Sequence, residues 1–117
     1  MHLNDEERSL VYRFICLPYV KKVLERDLSK IKKAGVKFPH LYDAFFHKKM
    51  DEVSYDLREI KKEMAKRKIT VYEENACEDA IRYLVVFRGY EQKISFSPPI
   101  MRNYVNEYLE NYFYKKT

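Results

Sequence analysis

The sequence predicts an α+β fold in which an N-terminal helical hairpin precedes a small antiparallel sheet and a C-terminal helix. Apolar residues recur at helical spacing up to about residue 67, and they alternate at a period of two between about 69 and 97. Ser97-Pro98-Pro99 then opens another helical pattern. With only two glycines and four prolines in 117 residues, we expect one domain, residues 1–117, built of long elements.

The N-terminal part of the chain predicts two helices separated by a proline. Asn4-Asp5-Glu6-Glu7 supplies an N-cap and first-turn acids for a helix over 4–16. Because Pro18 has no N–H group and its ring clashes with the preceding turn, we expect the helix to break or kink there. A second helix is predicted over about 19–34, with Gly35 as its C′ residue.

The clearest element is a long third helix over about residues 40–67, and Pro39 suits its first turn. The short connection before it favours antiparallel packing against the preceding helix. A stand-alone coiled coil is the alternative, but the strands that follow favour an intramolecular hairpin. One face carries an unbroken apolar seam: Phe46, Met50, Val53, Leu57, Ile60 and Met64.

A three-stranded antiparallel sheet is predicted over about 69–97. Residues 69–73 are rich in β-branched and aromatic side chains, and a polar connection follows them. Residues 81–87 are apolar on both faces apart from Arg82, which indicates a central strand covered on both sides, with a helix as the alternative. Arg88-Gly89 provides a turn before an alternating, half-exposed strand.

Neither cysteine belongs to a metal or redox pattern. Cys16 and Cys77 are far apart, have no CxxC or Cys/His cluster around them, and are expected to be small buried residues, with a disulfide as the alternative. No secretory or transit signal and no apolar run of about 18 residues occurs, so we expect a cytoplasmic protein without a membrane partner.

The sequence contains none of the common enzyme signatures, since GxxxxGK[ST], GxGxxG, GxSxG and HExxH are all missing. His40 and His47 are seven residues apart, whereas a helical metal pair needs one-turn spacing. We therefore expect no enzyme, no catalytic residue, no cofactor and no metal. Four acids on one flank of the long helix are expected to form a solvated face: Glu52, Asp56, Glu59 and Glu63.

All the excess positive charge lies in two helical segments, residues 20–37 with +5 and residues 48–69 with +3. The rest of the chain carries −3, which gives the net charge of +5. Regularly spaced cations on helix faces suit a nucleic-acid backbone. The order of elements also resembles a winged helix in outline, with 56–68 as the recognition helix and Arg88, Tyr90 and Lys93 at the wing. The candidate nucleic-acid-binding residues are Lys22, Arg26, Lys30, Lys33, Arg58, Lys62 and Lys66.

The last helix, about 99–113, carries a tyrosine row at i+4 spacing beside a second apolar row. Tyr104, Tyr108 and Tyr112 are therefore candidates for a contact with a partner or a second copy, and a broad core-facing helix is the alternative. We predict a non-enzymatic protein-interaction or regulatory module that self-associates and binds an unidentified protein partner. The alternative is a small nucleic-acid-binding regulator.

Overall fold

The computed structural model describes residues 2–74 and 79–114. Within these residues, three helices and a three-stranded antiparallel sheet follow one another in the order ααβββα, which confirms the predicted α+β class. The elements are α1 (Asp5–Lys33), α2 (Pro39–Lys66), β1 (Ile69–Glu73), β2 (Ile81–Phe87), β3 (Tyr90–Phe96) and α3 (Pro98–Phe113).

The helix α1 is continuous, so the predicted division at Pro18 is wrong. It begins as predicted, with a capping box: the Glu7 N–H donates to the Asn4 side chain at 2.8 Å, and the Asn4 N–H donates to the Glu7 carboxylate at 3.3 Å. A proline inside a helix costs about 3 kcal/mol. Pro18 is exposed, whereas Leu17 and Val20 beside it are fully buried, and each such side chain contributes about 1.5–3 kcal/mol. Burial on the inner face therefore keeps the helix intact.

The helix α2 packs antiparallel to α1 and completes the predicted hairpin. Gly35 takes a φ of 72° just after α1, which is the left-handed conformation expected of a C′ residue. Pro39 is the first residue of α2. The apolar seam faces the core, although Leu57 is only half-buried; the buried members are Phe46, Met50, Val53, Ile60 and Met64.

The sheet has the order β1-β2-β3, and only one of its faces is covered by the helices. Residues 81–87 form a strand, so the helical alternative is wrong. The prediction that this strand is covered on both sides is also wrong, because Val85 and Phe87 are fully buried whereas Arg82 on the other face is exposed. Leu84 on that outer face is only half-buried, since no second layer covers it.

The β2–β3 turn is tied to the start of α1. Arg88 and Gly89 have φ values of 48° and 84°, which is the pattern of a type I′ turn. The left-handed conformation is unfavourable for arginine. The guanidinium of Arg88 compensates by donating to both carboxylate oxygens of the buried Glu7, at 2.9 and 3.2 Å, and to the Arg67 carbonyl at 3.1 Å. The hydrogen bonds from Arg88 lower the pKa of Glu7 below its ordinary value.

Cys16 is fully buried, as expected, and its Sγ lies 3.7 Å from the Sδ of Met101. Burial raises the pKa of this thiol to about 11, so it stays protonated at neutral pH. Cys77 lies outside the described residues. No helix among the residues that the structure describes is long and apolar enough to cross a membrane.

Candidate functional site

The tyrosine row of α3 faces the interior of the molecule. Tyr112 is buried, and Tyr104 and Tyr108 are half-buried. The ring of Tyr104 packs edge-to-face against Tyr12 and Phe96, with centroids 5.4 and 5.7 Å apart. These three tyrosines therefore dock α3 on the rest of the fold, which leaves little of their surface for a second chain.

One polar cluster lies where α3 crosses the hairpin. The Tyr112 hydroxyl donates to the Asp56 carboxylate at 2.5 Å, and an Arg13 nitrogen lies 4.0 Å from the same oxygen. Tyr108 lines the adjoining cavity of about 400 Å³. Burial raises the pKa of Tyr108 to about 12, and burial together with the bond to Asp56 raises that of Tyr112. Both phenols thus remain protonated at neutral pH, and Tyr112 acts as a hydrogen-bond donor that joins α3 to α2.

The acidic row of α2 is not the uniformly solvated face that the sequence predicted. Asp56 is engaged by Tyr112, and Glu63 accepts a hydrogen bond from Arg67 at 2.9 Å. Glu59 is the one exposed residue of the four acids, and the other three are half-buried. Spacing along α2 is enough to pair Glu63 with Arg67 at i, i+4. It could not reveal the partner of Asp56, because Tyr112 comes from α3.

All seven candidate nucleic-acid-binding residues are exposed. The hairpin separates them, since Lys30 and Lys33 lie at its free end whereas Lys62 and Lys66 lie near the sheet, about 40 Å away along α2 at 1.5 Å per residue. Lys62 is also 3.5 Å from the carboxylate of Glu59. At the predicted wing, Arg88 is already paired with Glu7.

Lys22 and Arg26, on the same face of α1, lie beside α3 and line a cavity that α3 completes. Arg58 lies on α2 with its guanidinium 5.9 Å from the ring centre of Tyr55. The seven cations therefore form no continuous surface.

The free end of the hairpin carries an exposed apolar stripe that the sequence analysis missed. No residue from 29 to 45 is buried. Four large apolar residues in this stretch follow helical spacing and are 42–59% exposed: Phe38, Leu41, Tyr42 and Phe45. We call these four residues the tip stripe. Together with Lys37 they line a shallow groove of about 350 Å³, and the ring of Phe113 lies 5.5 Å from that of Phe45.

The free end projects from the rest of the molecule. The radius of gyration is 16.3 Å and the longest dimension is 55 Å. A compact chain of this length has a radius of gyration of about 13 Å. The two hairpin helices have 29 and 28 residues, whereas α3 has 16, so their far ends extend beyond the elements that could cover them.

The tip is also strongly basic. Residues 29–49 contain six lysines and one aspartate, a net charge of +5, which equals that of the whole chain. The aspartate, Asp43, is held 2.6 Å from Lys32, which lowers the pKa of that carboxyl. Four lysines around the tip stripe have no ion-pair partner among the described residues: Lys30, Lys33, Lys37 and Lys48. His40 and His47 are exposed here too.

The comparisons with known proteins place the chain in a family. The model of the family described as "YhjD protein" matches residues 2–117. The chain belongs to this family. It is 31% identical over 113 residues to a protein of Bacillus subtilis (strain 168) described as "Uncharacterized protein YhjD". The aligned residues cover 97% of this chain and 94% of that protein. No solved structure matches the chain.

The sequence did contain a signal for the tip stripe. At about 100° per residue, its four positions lie about a quarter-turn away from the seam that begins at Phe46. Leu41, Tyr42 and Phe45 therefore form a second apolar face on α2, which Phe38 at the N-cap continues. One helix cannot bury both faces against one neighbour. That α1 ends at Lys33 and leaves this face open is visible only in the assembled hairpin.

Proposed function

We propose that this protein is a non-enzymatic interaction module whose hairpin tip binds an acidic, amphipathic helix of another protein. The observation that carries this proposal is the tip stripe, which combines four exposed large apolar residues with unpaired lysines. Exposed apolar patches rimmed by charges are typical of protein contact sites. Such contacts draw most of their energy from a few large side chains at the centre.

The spacing of the tip stripe favours a helical partner. Leu41, Tyr42 and Phe45 form a ridge about 6 Å long on α2 at 1.5 Å per residue, and Phe38 at the N-cap extends it. Such a ridge fits the groove between side-chain rows of another helix. The partner would place an apolar row against Leu41 and Phe45, with carboxylates on either side to meet the lysines.

Charge argues for a different protein rather than a second copy at this surface. A two-fold symmetric contact would place the same patch against itself, and each copy brings a net charge of +5 in residues 29–49. Like charges facing each other oppose association, whereas an acidic partner gains from the same field. Self-association, if it occurs, would therefore use another surface.

The proposal can be tested with a photo-crosslinking residue at position 41, introduced in cells that produce this protein. The matched control is the same residue at Tyr55, which is 55% exposed on the same helix but outside the tip. We expect adducts at 41 and not at 55, with a protein whose crosslinked peptide is an acidic helix. With that protein purified, Leu41→Asp should weaken binding at least ten-fold, because it removes an anchor and adds a repulsive charge.

Each other outcome contradicts the proposal in its own way. An adduct of twice the mass of the chain would indicate self-association through the tip. An adduct that nuclease digestion removes would indicate nucleic acid instead. Equal labelling at 41 and 55 would show that the tip has no preferred occupant.

Nucleic-acid binding remains the alternative, and the unpaired lysines of the tip are what favour it. A nucleic-acid complex would weaken with salt by about one log–log unit for each phosphate contacted. Lys30→Glu with Lys33→Glu should then abolish a gel shift at low salt. The interaction-module proposal expects no shift even before these changes.

A further inference from the structure

A second site lies between α1 and α3, well away from the tip. The N-terminal half of α3 lies beside the middle of α1, and the two helices together with the start of β2 line an open groove of about 390 Å³. We call it the α1–α3 groove. Small-molecule sites in proteins commonly have volumes of about 300–1,000 Å³.

The walls of the α1–α3 groove are apolar. Val23 and Tyr19 come from α1, Met101 and Val105 from α3, and Ile81 from β2. All five of these belong to or pack against the hydrophobic core, so the walls are firmly held. A groove of this kind favours the apolar part of a ligand, because burying each CH₂ group contributes about 0.8 kcal/mol.

Three cations surround the same groove. Lys22 and Arg26 come from one face of α1, one turn apart, and Arg102 comes from the first turns of α3. None of them forms an ion pair with another described residue, and the groove has no acidic lining residue among them. A site with apolar walls and uncompensated positive charge at its edge is complementary to a molecule with an apolar body and an anionic end.

We propose that the α1–α3 groove binds a small amphipathic anion, of the class of medium-chain carboxylates. The alkyl chain lies along Val23, Met101 and Val105. The carboxylate is held at the edge by Arg102 and Arg26, whose planar guanidinium groups suit a two-oxygen anion. Sequence reasoning identified Lys22 and Arg26 as cations, but Arg102 joins them only through the packing of α3.

The test is calorimetric titration of the full chain with sodium decanoate below its micelle concentration. Octanoate and decyltrimethylammonium serve as the shorter and the cationic probe. If the alkyl chain of the ligand is buried in the groove, decanoate should bind about fifteen-fold more tightly than octanoate, because it has two more CH₂ groups. The cationic probe should not bind measurably. Arg102→Gln and Arg26→Gln should each weaken decanoate binding about five-fold, as expected of partly exposed charges.

Two controls locate the site. Lys93→Gln, on the open face of the sheet, and Leu41→Asp, in the tip stripe, should both leave decanoate binding unchanged. Methyl NMR shows directly where decanoate binds, because Met101 lines the groove whereas Met50 and Met64 lie in the core between helices. We expect decanoate to shift the Met101 methyl signal and leave the other two in place.

The proposal is overturned if decanoate does not bind, if the cationic probe binds equally well, or if the arginine variants bind like the unaltered protein. A shift at Met50 rather than Met101 would overturn the location. The Leu41→Asp variant separates the two proposals. It should weaken binding of the protein partner at the tip, whereas decanoate binding in the α1–α3 groove should not change.

Discussion

At the sheet end of the hairpin, Glu6 and Glu7 of α1 pair with Arg67 and Arg88, whereas four of the six lysines at the free end have no ion-pair partner among the described residues. The buried Glu7 receives two hydrogen bonds from Arg88, and Arg67 lies 2.8 Å from Glu6. At the free end, residues 29–49 contain six lysines and one aspartate, and no residue from 29 to 45 is buried. The first arrangement stabilises the fold, while the second leaves apolar surface and charge available to a partner.

A matched pair of leucine truncations should show the largest difference between the two regions. Leu24 in α1 is 1% exposed and Leu41 in the tip stripe is 59% exposed. Leu24→Ala should lower the free energy of unfolding by about 2–5 kcal/mol, because it leaves a cavity. Leu41→Ala should change it by no more than about 0.5 kcal/mol. Urea denaturation of both variants measures the two values, and similar losses would mean that the tip is part of the stabilising core.

Removing Arg88 from the ion pairs at the sheet end should have the next largest effect on the free energy of unfolding. Arg88→Met leaves the Glu7 carboxylate buried with fewer partners, and we expect a loss of about 2 kcal/mol. This value is below that of a fully buried pair, because the side chain of Arg88 is 38% exposed and Arg67 remains 4.0 Å from Glu7.

Arg82→Met is the control for this change, since Arg82 is exposed on the open face of the sheet. It should alter the free energy of unfolding by less than about 0.5 kcal/mol. Equal effects of the two substitutions would show that Arg88 contributes no more than any surface arginine.

The smallest effect is a pH dependence carried by Glu7. Its pKa in the folded protein is held below the ordinary value of 4.5, first of all by the hydrogen bonds from Arg88. The stabilisation is therefore complete above about pH 4.5, and it is lost as the pH falls through the folded pKa.

Glu7→Gln keeps the capping side chain but removes the charge. We expect the difference in unfolding free energy between the unaltered protein and this variant to be constant near neutral pH and to narrow below pH 4.5. Glu91→Gln, on the open face of the sheet, is the control for loss of an exposed carboxylate. If the difference in unfolding free energy widened below pH 4.5, the prediction that folding lowers the pKa of Glu7 would be wrong.

The sequence predicted those features that depend on neighbours along the chain. Four local features occur where the sequence patterns placed them: the Asn4 N-cap, Gly35 after α1, Pro39 at the start of α2 and the turn at Arg88-Gly89. Local patterns succeed here because capping and turn conformations are decided within a few residues. The division at Pro18 failed because burial of distant residues outweighed a local preference.

Only the tertiary structure decided which surfaces remain open. The tyrosines of α3 and the tip stripe of α2 are both apolar rows at helical spacing, so the sequence alone could not say which one is covered. Packing turned Tyr112 toward Asp56 and left Leu41 exposed, and it brought Arg102 beside Lys22 and Arg26. The sequence by itself thus determined the net charge and most of the elements with their ends, but not the continuity of α1 through Pro18. Which apolar faces meet one another depended on the relative lengths and packing of helices far apart in the chain.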